Sequence, residues 1–255
     1  MILAIDMGNT NIVVGAIDED KVYFLERLRT DTLKTSLEYA VILKNLLEFN
    51  GMSSAVFEGA ILSSVVPQAN KAVTDAVRKV TGLTCMTVRY DMNLGLKIGI
   101  DIPSQLGSDI IVTSVACASR YQLPLAVIDM GTATTIFVVD KNRVIRGGLI
   151  HPGIKVSLET LSSHASLLPH IELSAKPPVI GTNTNDSMTS GILYGHAGLI
   201  DGCLHYMEEE LGEPLTAIAT GGLAPTVTAL CRHKVISDPE LLLKGLLDIY
   251  RMNRK

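Results

Sequence analysis

The sequence predicts an α/β protein made of two duplicated lobes, residues 1–115 and 116–255. Two observations carry this. Continuous apolar runs of strand length alternate with stretches whose apolar residues recur at helical spacing. In addition, the segment Ile5-Asp6-Met7-Gly8-Asn9-Thr10-Asn11-Ile12-Val13-Val14 returns as Ile128-Asp129-Met130-Gly131-Thr132-Ala133-Thr134-Thr135-Ile136-Phe137, an ungapped offset of 123 residues, close to half of the 255-residue chain. A strand ending in an acid, a turn of glycine with small polar residues and a second strand, repeated at half-length spacing, point to duplication.

The elements follow in order. Ile2 to Asp6 and Asn11 to Asp18 are apolar runs joined by the turn Met7-Gly8-Asn9-Thr10, so they form a β-hairpin, with Val22 to Leu25 as a third strand. Thr35 through Phe49 carries Leu37, Ala40, Val41, Leu43, Leu46 and Leu47 near helical spacing, and Gln68 to Val80 is a second helix after the buried strand Ala60 to Val66. Residues 125 to 150 repeat the opening meander, with Val144 to Ile150 as its third strand. Asp186 is read as the cap of a long helix whose face carries Met188, Ile192, Gly195, Leu199, Cys203, Met207 and Leu211. Leu215 to Thr220 is a strand ending at Gly221-Gly222, and Asp238-Pro239-Glu240 starts a helix from Leu241 to Met252.

Hydrophobic residues make up 47% and charged residues 19%, a balance that excludes a long disordered tract. The net charge of −4 comes without any run of like charges, so the chain lacks the electrostatic footprint of a nucleic-acid binder. No apolar stretch reaches the ~18 residues of a membrane span. Cys85, Cys117, Cys203 and Cys231 have no metal-ligand spacing and read as reduced core residues, so a cytoplasmic protein is expected.

The repeated turn is the first candidate for chemistry. Backbone N–H groups and small hydroxyls can wrap a phosphate, while the acid at the strand end orients Mg²⁺ or its waters. Two such turns, one per lobe, would enclose a polyphosphate. Asp109 is the second candidate. It follows Gly107-Ser108 and opens an apolar helix from Ile110 to Ala118, so its carboxylate sits near the positive helix end. The alternative for Asp109 is a helix cap and nothing more.

The duplicated Asp-x-Gly-x-Thr hairpins resemble the acetate and sugar kinase, Hsp70 and actin superfamily, which implies two ribonuclease-H-like lobes with an inter-lobe ATP cleft. More closely, Asp6-Met7-Gly8-Asn9-Thr10, Ile61 to Pro67, Asp129 to Thr135, Gly147-Gly148-Leu149-Ile150-His151-Pro152-Gly153 and Asn183-Thr184 to Ser190-Gly191 resemble type III pantothenate kinase in motif order, nearly end to end. That resemblance implies ATP-dependent phosphorylation of pantothenate to 4′-phosphopantothenate, the first step towards coenzyme A, by a homodimer. It makes Asp6, Met7, Gly8, Asn9, Thr10, Asn11, Ile12 and Val13 the ATP phosphate loop, with Asp6 serving Mg-ATP and Thr132 a further nucleotide contact. Asp129 would hold a monovalent cation, K⁺ or NH₄⁺. Gly107, Ser108, Asp109 and Ile110 would line the pantothenate pocket with Asp109 as the base, and Thr184 would contact the same substrate.

Two positions depart from the family pattern. Its Gly-x-Asp-Arg motif ends here in Ile110, so the guanidinium that would hold the substrate carboxylate is absent, and Ile100 stands where the family tends to place a tyrosine. Tyr90, Arg89 and Lys97 are candidates to compensate. The departures leave two rivals in view, a nucleotide-binding regulator and a kinase for a different small alcohol.

Overall fold

The apolar runs of the sequence become strands in a computed structural model, whose described residues are 1–173 and 177–254. In chain order the strands and helices are β1 (Ile2–Met7), β2 (Asn11–Ile17), β3 (Val22–Arg29), α1 (Ser36–Phe49), β4 (Gly59–Ser64), α2 (Pro67–Thr81), β5 (Cys85–Thr87), β6 (Lys97–Ile98), α3 (Ser108–Arg120), β7 (Leu125–Met130), β8 (Ala133–Val139), β9 (Val144–Pro152), α4 (Ile154–His164), α5 (Thr184–Leu211), β10 (Thr216–Thr220), α6 (Ala224–Thr228), β11 (Val235–Ser237) and α7 (Leu241–Asn253).

The chain divides into two units, Met1–Ser119 with Glu240–Lys255, and Arg120–Pro239. In the first unit the sheet order is β3-β2-β1-β4-β5, with β1 antiparallel to β2 and parallel to β4. One core forms where α1 and α2 cover this sheet, built on Leu3, Ile5, Met7, Leu43, Leu47, Leu62 and Val73. Helix α7 packs on β1, β2 and β4. The second unit repeats the plan as β9-β8-β7-β10-β11, with β7 antiparallel to β8 and parallel to β10. Its core joins Ala126, Ile128, Ile136, Ile154, Ile192, Ile200 and Val227, from the sheet and from α4, α5 and α6. Two lobes of ribonuclease-H-like topology are therefore present. The sequence-based division at 115/116 runs through α3 and assigns α7 to the second lobe, whereas α7 belongs with the first unit.

The register also refines the repeat. Asp6 faces Val13 and Asp129 faces Thr135, so the second turn is one residue shorter and the ungapped alignment slips after the glycine. The matching turn bonds, Gly8 N–H to Asn11 O at 2.9 Å and Gly131 N–H to Ala133 O at 3.0 Å, pair Asn11 with Ala133 and Thr10 with Thr132. The two caps assigned to aspartates also differ from expectation. Asn183, not Asp186, caps α5, its side-chain oxygen accepting from Asp186 N–H at 2.9 Å. Asp238 does not cap α7 but accepts the Tyr121 hydroxyl at 2.9 Å, and α7 starts at Leu241 after Glu240.

Candidate active site

Parallel strands in an α/β sheet direct their carboxyl ends to one edge, where ligands bind. In the first unit β1 and β4 run parallel with Asp6 beside Ser63 and Met7 beside Ser64. Asp6 is 9% exposed, while Asn9, Thr10 and Asn11 of the turn face solvent and Gly8 is half-buried. The turn is held from a third strand. The Thr30 hydroxyl donates to Gly8 O at 2.7 Å and the Thr30 amide to Thr10 O at 3.0 Å, which fixes the turn against the end of β3. Ile12 is buried in the core cluster and Val13 is half-buried, so the back of the hairpin anchors what its tip presents.

The start of α3 is tied to this strand edge. Ser108 Oγ lies 3.0 Å from Ser63 Oγ and accepts the Ser64 amide at 2.8 Å, which brings Asp109 to the strand edge that carries Asp6. Ser108 was expected in the substrate pocket, and the structure shows its hydroxyl engaged with β4. Asp109 is half-buried. Burial pushes its carboxyl above the ordinary carboxylate range, against the opposing pull of the Ile110 amide 2.8 Å from Oδ1. Desolvation therefore outweighs the helix end, and the group is a stronger proton acceptor than an exposed aspartate. A Cβ on Gly107 would collide with Asp109 Oδ1, so the glycine leaves the space the carboxylate occupies.

In the second unit Asp129 is half-buried at the end of β7, beside Thr220 of β10, and Gly131 and Thr132 form the exposed turn. Two glycines close on this turn from behind. The Gly153 amide donates to Thr132 O at 3.0 Å, and a Cβ on Gly153 would strike the carbonyl oxygens of Gly131 and Thr132. Gly221 has φ +107°, where its Cβ would meet the Met130 backbone. Gly221 at the end of β10 is thus a packing requirement where β7 runs into the second turn. Thr184 is exposed at the first position of α5, on a cavity of about 610 Å³ lined also by Leu161, Leu168, Asn183, Ser187 and Met188.

Ile110 directs its Cδ1 towards Gly107, and Ile100 is half-buried in the bend after β6. Among the residues weighed as substitutes for the missing arginine, Arg89 is committed to Asp91, with Nε 2.9 Å from Oδ1. Lys97 is exposed on β6. No group of three or more His, Cys, Asp or Glu side chains among the described residues is arranged to hold a metal. A divalent ion carried mainly by phosphate oxygens and water asks for only one or two carboxylates, and Asp6 meets that demand. Asp129 pairs in register with Thr135 of β8 and Thr220 of β10, and carboxylate and hydroxyl oxygens are the donor types that suit a hard cation. Sequence reasoning missed Thr30, which lies a whole strand away from the turn it holds, and the engagement of Ser63 and Ser64 with Ser108.

Residues 2–206 match the family model of type III pantothenate kinase. A type III pantothenate kinase of an Exiguobacterium species is 41% identical over 255 residues, with 100% of both chains covered. One from Bacillus cytotoxicus is 40% identical, covering 99% of this chain and 97% of its own. Among solved structures, a Campylobacter jejuni protein named for the Baf family of transcriptional activators superposes with a TM-score of 0.63 at 20% identity, covering 99% of this chain and 98% of that one, which speaks for the fold alone. The duplicated acid and glycine turns, the strand edges that carry them and the end-to-end sequence match agree, and the chain belongs to the type III pantothenate kinase family.

Proposed function

We propose that this protein transfers the γ-phosphoryl group of ATP to the primary hydroxyl of pantothenate, giving ADP and 4′-phosphopantothenate. The observation that carries the reading is the placement of the half-buried Asp109, by the Ser108 tether, on the same strand edge as the Asp6 turn. Family membership favours pantothenate over the regulator and the different-alcohol rivals.

In this reading Asp6 through Val13 and the Thr132 turn serve the nucleotide phosphates through N–H and O–H donors. Asp109 Oδ accepts the proton of the substrate hydroxyl as its oxygen bonds to the γ-phosphorus and the bond to the β,γ-bridging oxygen breaks. Asp6 would hold Mg²⁺ and Asp129 a monovalent cation, K⁺ or NH₄⁺, and the chemistry these ions supply when bound is neutralisation of phosphate charge. The protein contributes position: Thr30 fixes one turn, Gly153 and Gly221 the other, and Ser108 fixes the base. Gly107, Ile110, Ile100 and Thr184 contribute to the pantothenate side.

A cytoplasmic homodimer completes the proposal. Gly191, Gly195 and Gly198 lie exposed along α5 with open space where each Cβ would stand, a face another helix can approach closely. All four cysteines are free thiols, in keeping with a reducing compartment. No helix among the described residues is long and apolar enough to cross a membrane. The test is an ATP-dependent phosphorylation assay on pantothenate and on neutral alcohols of similar shape, run in K⁺ and in Na⁺. Turnover of pantothenate that depends on K⁺ supports the reading; phosphorylation confined to a neutral alcohol would replace the substrate, and absence of any transfer would overturn the kinase.

A further inference from the structure

His196 is a buried ionisable side chain, 5% exposed, in the middle of α5, and the reaction described above does not use it. Its ring bridges two elements. Nδ1 lies 2.9 Å from Ile192 O in its own helix, and Nε2 lies 3.3 Å from Pro152 O at the end of β9. Pro152 O draws two more groups, His151 Nδ1 at 2.8 Å and Ser157 Oγ at 3.4 Å, and the two imidazole rings stand edge to face with centroids 5.5 Å apart. A carbonyl oxygen only accepts, so His151 donates from Nδ1, whereas His196 faces a carbonyl with each nitrogen and, as a neutral ring, donates to Pro152 O in the form that carries its proton on Nε2.

The carbonyl of Pro152 and the amide of Gly153 belong to one planar peptide group. On its other side that group donates from Gly153 N–H to Thr132 O at 3.0 Å. His151, Ser157 and, in its Nε2–H form, His196 therefore grip one edge of the plane while the second turn hangs from the other. A donor at the carbonyl orients the plane and, through polarisation along the chain of bonds, strengthens its N–H as a donor. Rotation of this peptide would withdraw the bond from Thr132 and let the turn relax. Gly153 is free of a side chain at the point where a Cβ would block this contact with the turn.

We propose that His196 is a positioning residue for the second turn, acting through the Pro152–Gly153 peptide group on Thr132. The inference deepens the reading above and rests on it at one point, the contact of Thr132 with the nucleotide. Two substitutions separate the nitrogens. Asparagine at 196 places an amide near the Nδ1 position and leaves Pro152 O without that donor, whereas glutamine carries its amide out to the Nε2 position.

The experiment measures steady-state kinetics and amide hydrogen exchange on the whole protein. His196→Asn should raise the KM for ATP by about 3- to 10-fold, the equivalent of one lost hydrogen bond, with kcat and the pantothenate KM changing by less than about twofold, and should speed exchange of the Gly153 amide by about the same factor. His196→Gln should restore both quantities towards the wild type. Equal effects of Asn and Gln would mean a merely structural role and overturn the proposal, as would Gly153 exchange that ignores both substitutions. Should His196→Asn fail to fold, His151→Ala carries the test by removing the other imidazole from the same carbonyl. It should move Gly153 exchange and the ATP KM in the same direction, and no movement in either overturns the proposal. Thr132→Ala distinguishes the two layers. If it leaves the ATP KM unchanged while Gly153 exchange still follows the Asn and Gln pattern, the nucleotide reading of Thr132 falls and the tie itself stands.

Discussion

Replacing Ser108 by alanine removes the oxygen that joins α3 to β4. Two groups lose their partner: the Ser64 amide, 2.8 Å away, and the Ser63 hydroxyl, 3.0 Å away on a side chain with 0% exposure. A buried polar group left without a partner costs about 1–3 kcal/mol, and these two share one site, so the expected loss is about 2–4 kcal/mol. For a chain of this size each kcal/mol moves the melting point by about 2–4 °C, which puts Ser108→Ala about 5–15 °C below the wild type. The kinetic signature should be selective. Asp109 is the next residue, so kcat should fall about tenfold from misplacement of the base, while the ATP KM stays within about twofold because the Asp6 turn is held separately by Thr30. Ser108→Thr keeps an oxygen at the same place and should recover most of both losses. Calorimetry with steady-state kinetics decides the matter: a Ser108→Ala protein within about 0.5 kcal/mol of wild type and with unchanged kcat would refute the tether and the placement of Asp109 that follows from it.

Asp6→Asn should abolish most Mg-ATP turnover while circular dichroism and the melting curve stay close to wild type, because the acid sits at the strand end and the adjoining core is apolar. Asp109→Asn should lower kcat by ~10²–10⁴-fold with ATP binding intact, measured by titration calorimetry. The direction of the Asp109 shift also fixes two pH dependences. The wild-type rate should fall on acidification with a midpoint above the usual carboxylate range, since the base must be ionised. For stability, a folded-state pKa above the unfolded one imposes no cost at low pH, where both states are protonated, and its full cost above the folded pKa, so Asp109→Asn should equal or exceed the wild type in stability at neutral pH and lose that advantage in acid. Ser114→Ala in α3 should be neutral or stabilising by up to about 1 kcal/mol, seen in urea melts, because the Ser114 hydroxyl is fully buried without a hydrogen-bond partner among the described residues and alanine is the better helix former.

Much of the fold and part of the site could be read from residue order. The strand runs Ile2 to Asp6 and Leu125 to Met130 are apolar on both faces because each lies between two neighbours in its sheet and is covered by helices, and that doubly buried pattern is unambiguous. The acid, glycine and hydroxyl turns were legible because they are local. What escaped is what depends on distance in the chain. Thr30 sits just past the end of β3, and nothing in its neighbours tells that its hydroxyl reaches Gly8. The contact of Ser63 with Ser108 spans 45 positions, so either serine alone reads as an ordinary solvated hydroxyl. Asp186 and Asp238 mislead for a related reason: a carboxylate ahead of a helix has the chemistry of a cap, but Asn183 takes that place in one case and the Tyr121 hydroxyl claims the carboxylate in the other.

Helix α7 gives the first unit a calendar as well as a shape. Three glycines mark where that helix inserts: the space a Cβ would take at Gly15 is filled by Leu243, the space at Gly59 by Tyr250, and Gly245 itself lies against Val112 O. A ribosome adding about 5–20 residues per second delivers Met1 through Ser119 long before the residues that fill those sites. The nascent amino-terminal segment must therefore wait, with one face of β1 and β2 uncovered, while all of Arg120–Pro239 is made. The later-made unit is contiguous and can close on itself as soon as it emerges. Truncation after Pro239 would thus leave Arg120–Pro239 with all of its own residues and Met1–Ser119 without the helix that covers it, and should mark the amino-terminal segment for proteolysis.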